Sequence, residues 1–175
     1  MLTEGGVRVP LIAYWPGTIP ADTATSYPVH AVDYYPTCLA LAGNKWTPPK
    51  AEHPLDGSSF AKVLRDPSAK STRGTIFYLF PGYLDIRAEP TVVAIDEING
   101  KKYKLYYFYE TDSWELYSLS DDIGEEKDIL KQSPEIAATL SKKINAWLLQ
   151  KDSTWQPKYP LKKGTEKSAG PPPVL

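Results

Sequence analysis

An Asn-Gly pair between two β-rich stretches constrains the fold of this 175-residue chain more than any other feature. Asn99-Gly100 follows residues 91–95 and precedes residues 102–110, which are dense in Tyr and Phe. Asn-Gly in that position is the strongest short-range signal for a tight hairpin, because both residues tolerate positive φ. The two stretches are therefore predicted to pair as antiparallel strands.

Two further β-rich stretches, residues 75–80 and 114–119, lie on either side of this hairpin. Short connections between successive strands indicate an antiparallel sheet of about four strands. Pro134 then opens a predicted helix over residues 135–150. Its apolar side chains recur at helical spacing and form one stripe: Ile136, Leu140, Ile144, Trp147 and Leu148. That stripe needs a surface to cover, and we expect it to pack on the sheet.

The first third of the chain has a different character. Residues 7–15 are apolar on both faces and end at Pro16-Gly17, as in a strand buried inside a larger sheet. A helix is predicted within residues 29–44, with Pro36 in its first turn. A short helix is predicted over residues 58–64, with Ser58 or Ser59 as its cap. The longer helix carries a stripe of apolar side chains: Val32, Tyr35, Leu39 and Ala42.

Together these elements predict an α+β fold with three segments. Residues 1–70 supply the opening strand and the helices that follow it. Residues 71–151 form the small antiparallel sheet packed against its C-terminal helix. Residues 152–175 are rich in Pro and Lys and predict a tail that follows the surface or is disordered.

Composition excludes several classes of partner and site. The formal net charge is −1 with both signs interspersed, which argues against nucleic-acid binding. No apolar run reaches the roughly 18 residues of a membrane span, and the N-terminus lacks the pattern of a signal peptide. The single Cys38 excludes an internal disulfide framework and any multi-cysteine zinc site.

The individual residues with reactive chemistry have simpler structural explanations. Cys38 is expected to face the core as a small buried hydrophobe. His30 and His53 have no spaced partner for a metal, so a capping or solvated histidine is favoured for both. The acidic run Asp121-Asp122 with Glu125-Glu126 lacks calcium-loop spacing and is expected to be a solvated turn. The aromatic run over residues 103–109 offers a sugar-stacking platform, but sheet packing is favoured.

Several short motifs follow one another in a particular order over residues 4–130. They are Glu4-Gly5-Gly6 with Arg8-Val9-Pro10, Trp15-Pro16-Gly17, Asp33-x-Tyr35-Pro36-Thr37, Leu41-Ala42-Gly43, Asp56-Gly57-Ser58, Lys104-Leu105, Glu115-Leu116-Tyr117, Leu119, Asp122 and Glu125. In this order the set resembles the C-terminal half of a formylglycine-dependent sulfatase, in the alkaline phosphatase superfamily. Ser118, Ile123 and Asp128 depart from the family pattern at surface-turn positions. A phosphonate or phosphate ester hydrolase of the same superfamily shares much of this layout.

The resemblance implies that residues 1–70 are a strand and helix left over from the end of the family's α/β catalytic domain. It also implies that the chemistry lies outside this chain. The parent reaction would be sulfate ester hydrolysis, with calcium and a formylglycine made from a Cys or Ser in a Cys/Ser-x-Pro-x-Arg motif. Cys38 is followed by Leu39-Ala40-Leu41 and does not match. In the family the nucleophile and the metal ligands lie upstream of the Glu-Gly-Gly turn. No catalytic residue, metal ligand or cofactor is therefore expected here, and Glu4, Gly5, Gly6 and Arg8 are expected to form a turn on the substrate side.

Three hypotheses for function follow. The first is a C-terminal portion of a sulfatase-like hydrolase, silent alone, which walls one side of the active-site cleft. The second is a free-standing domain without catalysis that binds a partner or ligand. The third is a truncated reading frame with no function of its own. The uncovered apolar run at residues 7–15 predicts either self-association or a missing N-terminal catalytic part as partner. No residue reports the compartment; the family's members are often periplasmic, secreted or lysosomal.

Overall fold

The computed structural model describes residues 2–43, 56–70, 73–83, 89–150, 158–161 and 167–175. The chain divides into two compact units. The sheet unit comprises Met1–Val9, Thr75–Lys151 and Trp155–Leu175, and the helical unit comprises Pro10–Gly74 with Asp152–Thr154. The segment boundaries that we place at residues 70 and 151 stay a prediction.

The sheet unit contains a four-stranded antiparallel sheet in the order β1-β2-β3-β4. The strands are β1 Ile76–Phe80, β2 Thr91–Ile98, β3 Lys101–Phe108 and β4 Ser113–Ser118. Ile98 pairs with Lys101, so the β2–β3 loop is the two-residue Asn99-Gly100 turn. Both turn residues have positive φ, 53° and 77°, as a type I′ hairpin requires. The predicted hairpin and the predicted antiparallel sheet of about four strands are confirmed.

One face of this sheet is covered by helix α4, Pro134–Leu148, which has Pro134 in its first turn as predicted. The core between helix and sheet is apolar: Val92, Ala94, Leu105, Tyr107, Trp114, Leu116, Ala137, Leu140, Ile144 and Leu148. Trp147 stacks on Phe77 at the margin, with ring centroids 4.9 Å apart. Lys143 also makes an ion pair with Asp96 of β2. The helical stripe therefore packs where its spacing predicts.

The described parts of the C-terminal segment follow the surface of the sheet unit. Leu161 and Ser168 form an isolated antiparallel bridge, and the Ala169 N–H donates to the Pro160 carbonyl at 2.8 Å. The N–H of Leu175 donates to Ser141 Oγ on α4 at 3.1 Å. The remaining residues of the predicted tail lie outside the described ranges.

The helical unit contains α2, Tyr34–Leu41, preceded by a 3₁₀ turn over Ala31–Asp33, and α3, Ala61–Arg65. The predicted apolar stripe on α2 is wrong, since Val32 and Tyr35 are exposed and Cys38 is exposed rather than in the core. Thr37 is the only residue of α2 that is fully buried. Because α2 carries apolar residues all round, spacing alone does not identify its buried side.

Two predicted boundaries in the first 70 residues also need correction. The opening segment forms helix α1, Glu4–Val7, and residues 8–15 have no regular secondary structure, so the predicted strand over 7–15 is wrong. Strand geometry needs a ladder partner, and no strand pairing involves residues 8–15 within the described ranges. Helix α3 begins at Ala61 with Phe60 as N-cap, rather than at Ser58 or Ser59. Among the described residues, none forms a helix long and apolar enough to span a bilayer.

Candidate functional site

A cluster of charged side chains ties the start of the chain to the sheet. Lys104 lies on β3 with its side chain fully buried, and its Nζ is 2.8 Å from Glu4 Oε1 and 3.0 Å from Glu125 Oε1. Both carboxylates are themselves mostly buried. We call the set formed by Leu2, Glu4, Lys104, Tyr106 and Glu125 the Glu4 clasp.

The clasp holds the backbone of the opening segment as well as one of its side chains. The N–H of Glu4 donates to Glu125 Oε2 at 2.7 Å. The Tyr106 hydroxyl donates to Glu125 Oε1 and lies 3.2 Å from the Leu2 carbonyl oxygen. Lys104, Tyr106 and Glu125 therefore hold three groups of the opening segment: the Leu2 carbonyl, the Glu4 N–H and the Glu4 carboxylate.

The electrostatics of the clasp keep Tyr106 as a hydrogen-bond donor. Burial raises the pKa of Tyr106 far above its usual range, and the hydrogen bond and charge of Glu125 and the charge of Glu4 act in the same direction. Lys104 Nζ lies 5.1 Å from the centre of the Tyr106 ring, within cation–π distance. Tyr106 also stacks on Phe108 and meets Tyr117 edge-on. These contacts support sheet packing as the role of the aromatic run.

The residues of the predicted substrate-side turn differ in how they are held and how exposed they are. Glu4 is held against the sheet, whereas Gly5, Gly6 and Arg8 are exposed. The N–H groups of Gly6 and Val7 donate to the Thr3 carbonyl, and the Arg8 N–H donates to the Glu4 carbonyl. The turn thus presents its glycines and an arginine outward from an anchored base. Its position on the substrate side stays a prediction.

A second polar cluster lies in the helical unit and is centred on Asp33, which is fully buried. Asp33 Oδ1 accepts hydrogen bonds from the Ser58 N–H at 2.7 Å and from Arg73. Its Oδ2 accepts the His30 N–H at 2.8 Å. Burial and the nearby Arg73 lower the pKa of His30, and the charge of Asp33 opposes that shift.

The Asp33 cluster explains why two of the sequence motifs occur together. Thr37 Oγ1 donates to the Asp33 carbonyl at 2.7 Å and accepts the Phe60 N–H at 3.0 Å. Gly57 lies against the backbone of residues 32 and 33, where a Cβ would overlap the carbonyl group of Val32. The motif around Asp33 thus binds the loop that follows Asp56, so its role in this unit is structural.

Within the described ranges, the acidic residues of the turn after β4 make structural hydrogen bonds and ion pairs. No group of three or more His, Cys, Asp or Glu within the described ranges could hold a metal ion. Asp122 instead accepts the backbone N–H groups of Glu126 and Lys127 at 2.9 Å each. Glu125 is buried in the clasp, so the prediction that it is solvated is wrong. His53 lies outside the described residues, and Cys38 lacks the formylglycine motif.

Sequence reasoning named Glu4, Lys104 and Glu125 as motif residues but did not predict that they meet. Lys104 and Glu125 belong to the motifs of the resemblance, yet nothing in their spacing pairs them with Glu4. One signal was available: alternation along β3 puts Lys104 on the face opposite Leu105, among aromatic residues. A lysine at the centre of such a strand needs a carboxylate partner. Arg73, which contacts Asp33, carried no such signal.

Matches to known proteins cover most of this chain. The family model described as N-sulphoglucosamine sulphohydrolase, C-terminal, matches residues 1–152. A protein named sulfatase from Formosa agariphila is 40% identical over 158 residues, covering 86% of this chain and 28% of that protein. Arylsulfatase G of Rattus norvegicus is 29% identical over 153 residues, covering 79% of this chain and 27% of its own length.

One solved structure has a similar fold. The crystal structure of Ps i-CgsB superposes with a TM-score of 0.57 at 26% identity, covering 86% of this chain and 30% of that one. The chain therefore spans less than a third of the length of these relatives.

Proposed function

We propose that this chain, which belongs to the sulfatase family, does not hydrolyse sulfate esters by itself. Its match is to the family's C-terminal region, described as N-sulphoglucosamine sulphohydrolase, C-terminal. In this proposal it is the C-terminal portion of a sulfatase-like hydrolase. Residues 1–70 contribute the end of the catalytic domain, and residues 71–151 wall one side of the cleft. The matched relatives with specific names are sulfatases, which favours sulfate over phosphonate or phosphate esters as the parent substrate class.

The mismatch between the chemistry and the residues present carries the proposal of catalytic silence. Hydrolysis in this family needs an activated nucleophile and a cation that stabilises the developing charge. The only cysteine stands in Cys38-Leu39-Ala40-Leu41, and the described residues include no cluster that could hold a metal ion. The buried acids have other partners, in the clasp and around Asp33. A positioned nucleophile and its electrostatic stabiliser supply most of an enzyme's acceleration, so little remains.

An aryl sulfate assay tests catalytic silence directly. The purified chain is incubated with a chromogenic aryl sulfate and calcium, beside a Cys38→Ala variant and a buffer blank. We expect release of the phenol at the blank rate for both proteins. Turnover that co-purifies with the chain and is lost in Cys38→Ala would overturn the proposal, because it would identify a nucleophile that we exclude.

The turn Glu4-Gly5-Gly6 with Arg8 is the part of this chain that we place on the substrate side. Two observations support this choice. The base of the turn is fixed to the sheet through Glu4. The guanidinium of Arg8 is exposed beside it, where it is available to an anionic group.

A partner-binding role is the second candidate, and the exposed apolar segment favours it. Ile12 and Tyr14 are 89% and 88% exposed, and Val9, Leu11 and Trp15 are exposed beside them. An exposed apolar segment of this kind is typical of an interaction site. Its partner is a second copy of this chain or the catalytic part of a sulfatase, and either would bury the same side chains.

Dilution tests the self-association form of this proposal. We expect the mass from light scattering to rise with concentration for the wild type, and Ile12→Glu to lower it. The matched control is Ile123→Glu, which places the same charge at an exposed isoleucine in the sheet unit. A wild type that stays monomeric over the whole series, with Ile12→Glu indistinguishable from it, contradicts self-association.

A further inference from the structure

We propose that Lys104, Tyr106 and Glu125 are positioning residues that hold α1 in its helical turn on the sheet. This inference rests on the proposed function, because the turn that they hold is the one placed on the substrate side. It adds three residues to a site for which the sequence indicated only Glu4, Gly5, Gly6 and Arg8.

Helix α1 has little intrinsic stability. It is four residues long, none of them is fully buried, and it has no side-chain cap. An isolated helix of that length is unstable in water, and two of its residues are glycines, which favour a helix less than alanine does. The clasp holds it through polar contacts at the Leu2 carbonyl, the Glu4 N–H and the Glu4 carboxylate.

The charges of the clasp indicate positioning rather than simple stabilisation. One buried ammonium faces two carboxylates, so the cluster carries an excess negative charge away from water. Removing ions from water is unfavourable, and well-packed apolar residues often replace such clusters at no loss of stability. What the ions supply here is a fixed geometry, since each carboxylate is held at defined atoms of the turn or the sheet.

Glu125 also has a strained backbone, which fits this role. Its φ is +57°, in the left-handed region that residues other than glycine rarely adopt. The conformation is held by Asp122, whose carbonyl accepts the Glu125 N–H and whose carboxylate accepts the next two N–H groups. Strain of this kind persists where surrounding contacts require one side-chain direction. Here that direction brings the Glu125 carboxylate to Lys104 and to the Glu4 N–H.

Amide hydrogen exchange, read residue by residue by NMR on the full 175-residue chain, tests the clasp. The informative amides are Gly6, Val7 and Arg8, whose N–H groups close the turn. In Lys104→Met the two carboxylates face each other without their cation. We expect exchange at these amides to be about tenfold faster or more, with altered Gly5 and Gly6 amide shifts, while the amides of α4 and the β2–β3 ladder keep their protection.

Two further variants make the outcome decisive. Glu4→Leu removes only the carboxylate of the turn and leaves Lys104 paired with Glu125, so the sheet keeps a balanced ion pair. We expect the same local loss of protection in this variant. Lys101→Met is the matched control, because it removes a β3 lysine from an exposed ion pair with Asp121, and it should leave the turn unchanged.

Unchanged exchange at Gly6 and Val7 in Glu4→Leu would overturn the clasp as a positioning device. Loss of protection spread equally over α4 and the strands would do the same, since it would show a general loss of stability. Neither result bears on catalytic silence, which the aryl sulfate assay reads separately.

Discussion

Gly57→Ala is the sharpest single test of the helical unit. A Cβ on residue 57 would lie 2.5 Å from the Val32 carbonyl carbon and 3.0 Å from the Asp33 Cα. Both atoms belong to the backbone, so no side-chain rotation can relieve the overlap. The added methyl group must push the loop away from the 3₁₀ turn that precedes α2.

The size of the effect follows from what that movement breaks. Ser58, the next residue, donates its N–H to the buried Asp33 carboxylate at 2.7 Å. A hydrogen bond to a charged group contributes about 1.5–3 kcal/mol, and overpacking a closely packed site costs about 1–3 kcal/mol. The two costs share one displacement and do not add fully. We expect Gly57→Ala to lower the free energy of unfolding by about 2–4 kcal/mol.

Urea denaturation followed by circular dichroism measures this loss, with Gly74→Ala as the matched control. Gly74 has open space around it and no positive φ, so the same methyl group should have little effect there. Exchange of the Ser58 and Phe60 amides locates the damage. If Gly57→Ala unfolds at the same urea concentration as Gly74→Ala, with both amides still protected, the argument for close approach is refuted.

Two more predictions concern one unit each. Burial lowers the pKa of His30 below its ordinary value of 6.5, so the unfolded chain takes up the proton first as the pH falls; the stability of the helical unit should be complete above that value and decline as the pH drops below it. His30→Asn keeps a capping side chain without a titrating group, and its urea midpoint should lose this decline; an unchanged pH profile would contradict the assignment. Trp147→Ala removes a half-buried ring stacked on Phe77, and we expect a loss of about 2–3 kcal/mol in thermal unfolding. Leu149→Ala, an exposed neighbour, is its control, and equal midpoints for the two variants would show that Trp147 does not pack on the sheet.

The parts of the fold that the sequence predicted correctly depend on local signals. The Asn99-Gly100 turn is specified by two residues that accept positive φ, and the α4 stripe by the 3.6-residue helical period. Both features leave one conformation clearly preferred over a stretch of a few residues. The positions of the four strands and of α4 therefore follow from the sequence alone.

The candidate site could not be predicted in the same way, because its contacts join distant residues. Glu4 meets Lys104 across 100 positions, and Asp33 meets Arg73 across 40. A single sequence shows that a buried lysine or aspartate needs a partner, but it does not show which of many charged residues is that partner. Cys38 illustrates the same problem in an apolar setting: helix α2 offers several faces of similar hydrophobicity, and its packing partners determine which is buried.

Within the described ranges, the strand predicted over residues 7–15 is absent, and this difference bears on the partner proposal. A strand is stable only as part of a pair, since its N–H and C=O groups need a neighbouring backbone. The segment has the composition of a strand that is buried on both faces, yet Ile12 and Tyr14 lie almost fully exposed. Addition of a neighbouring strand would satisfy the backbone and bury the side chains in one step. Composition and observed conformation therefore agree if residues 8–15 become a strand when the partner binds, and Ile12→Glu should oppose that change.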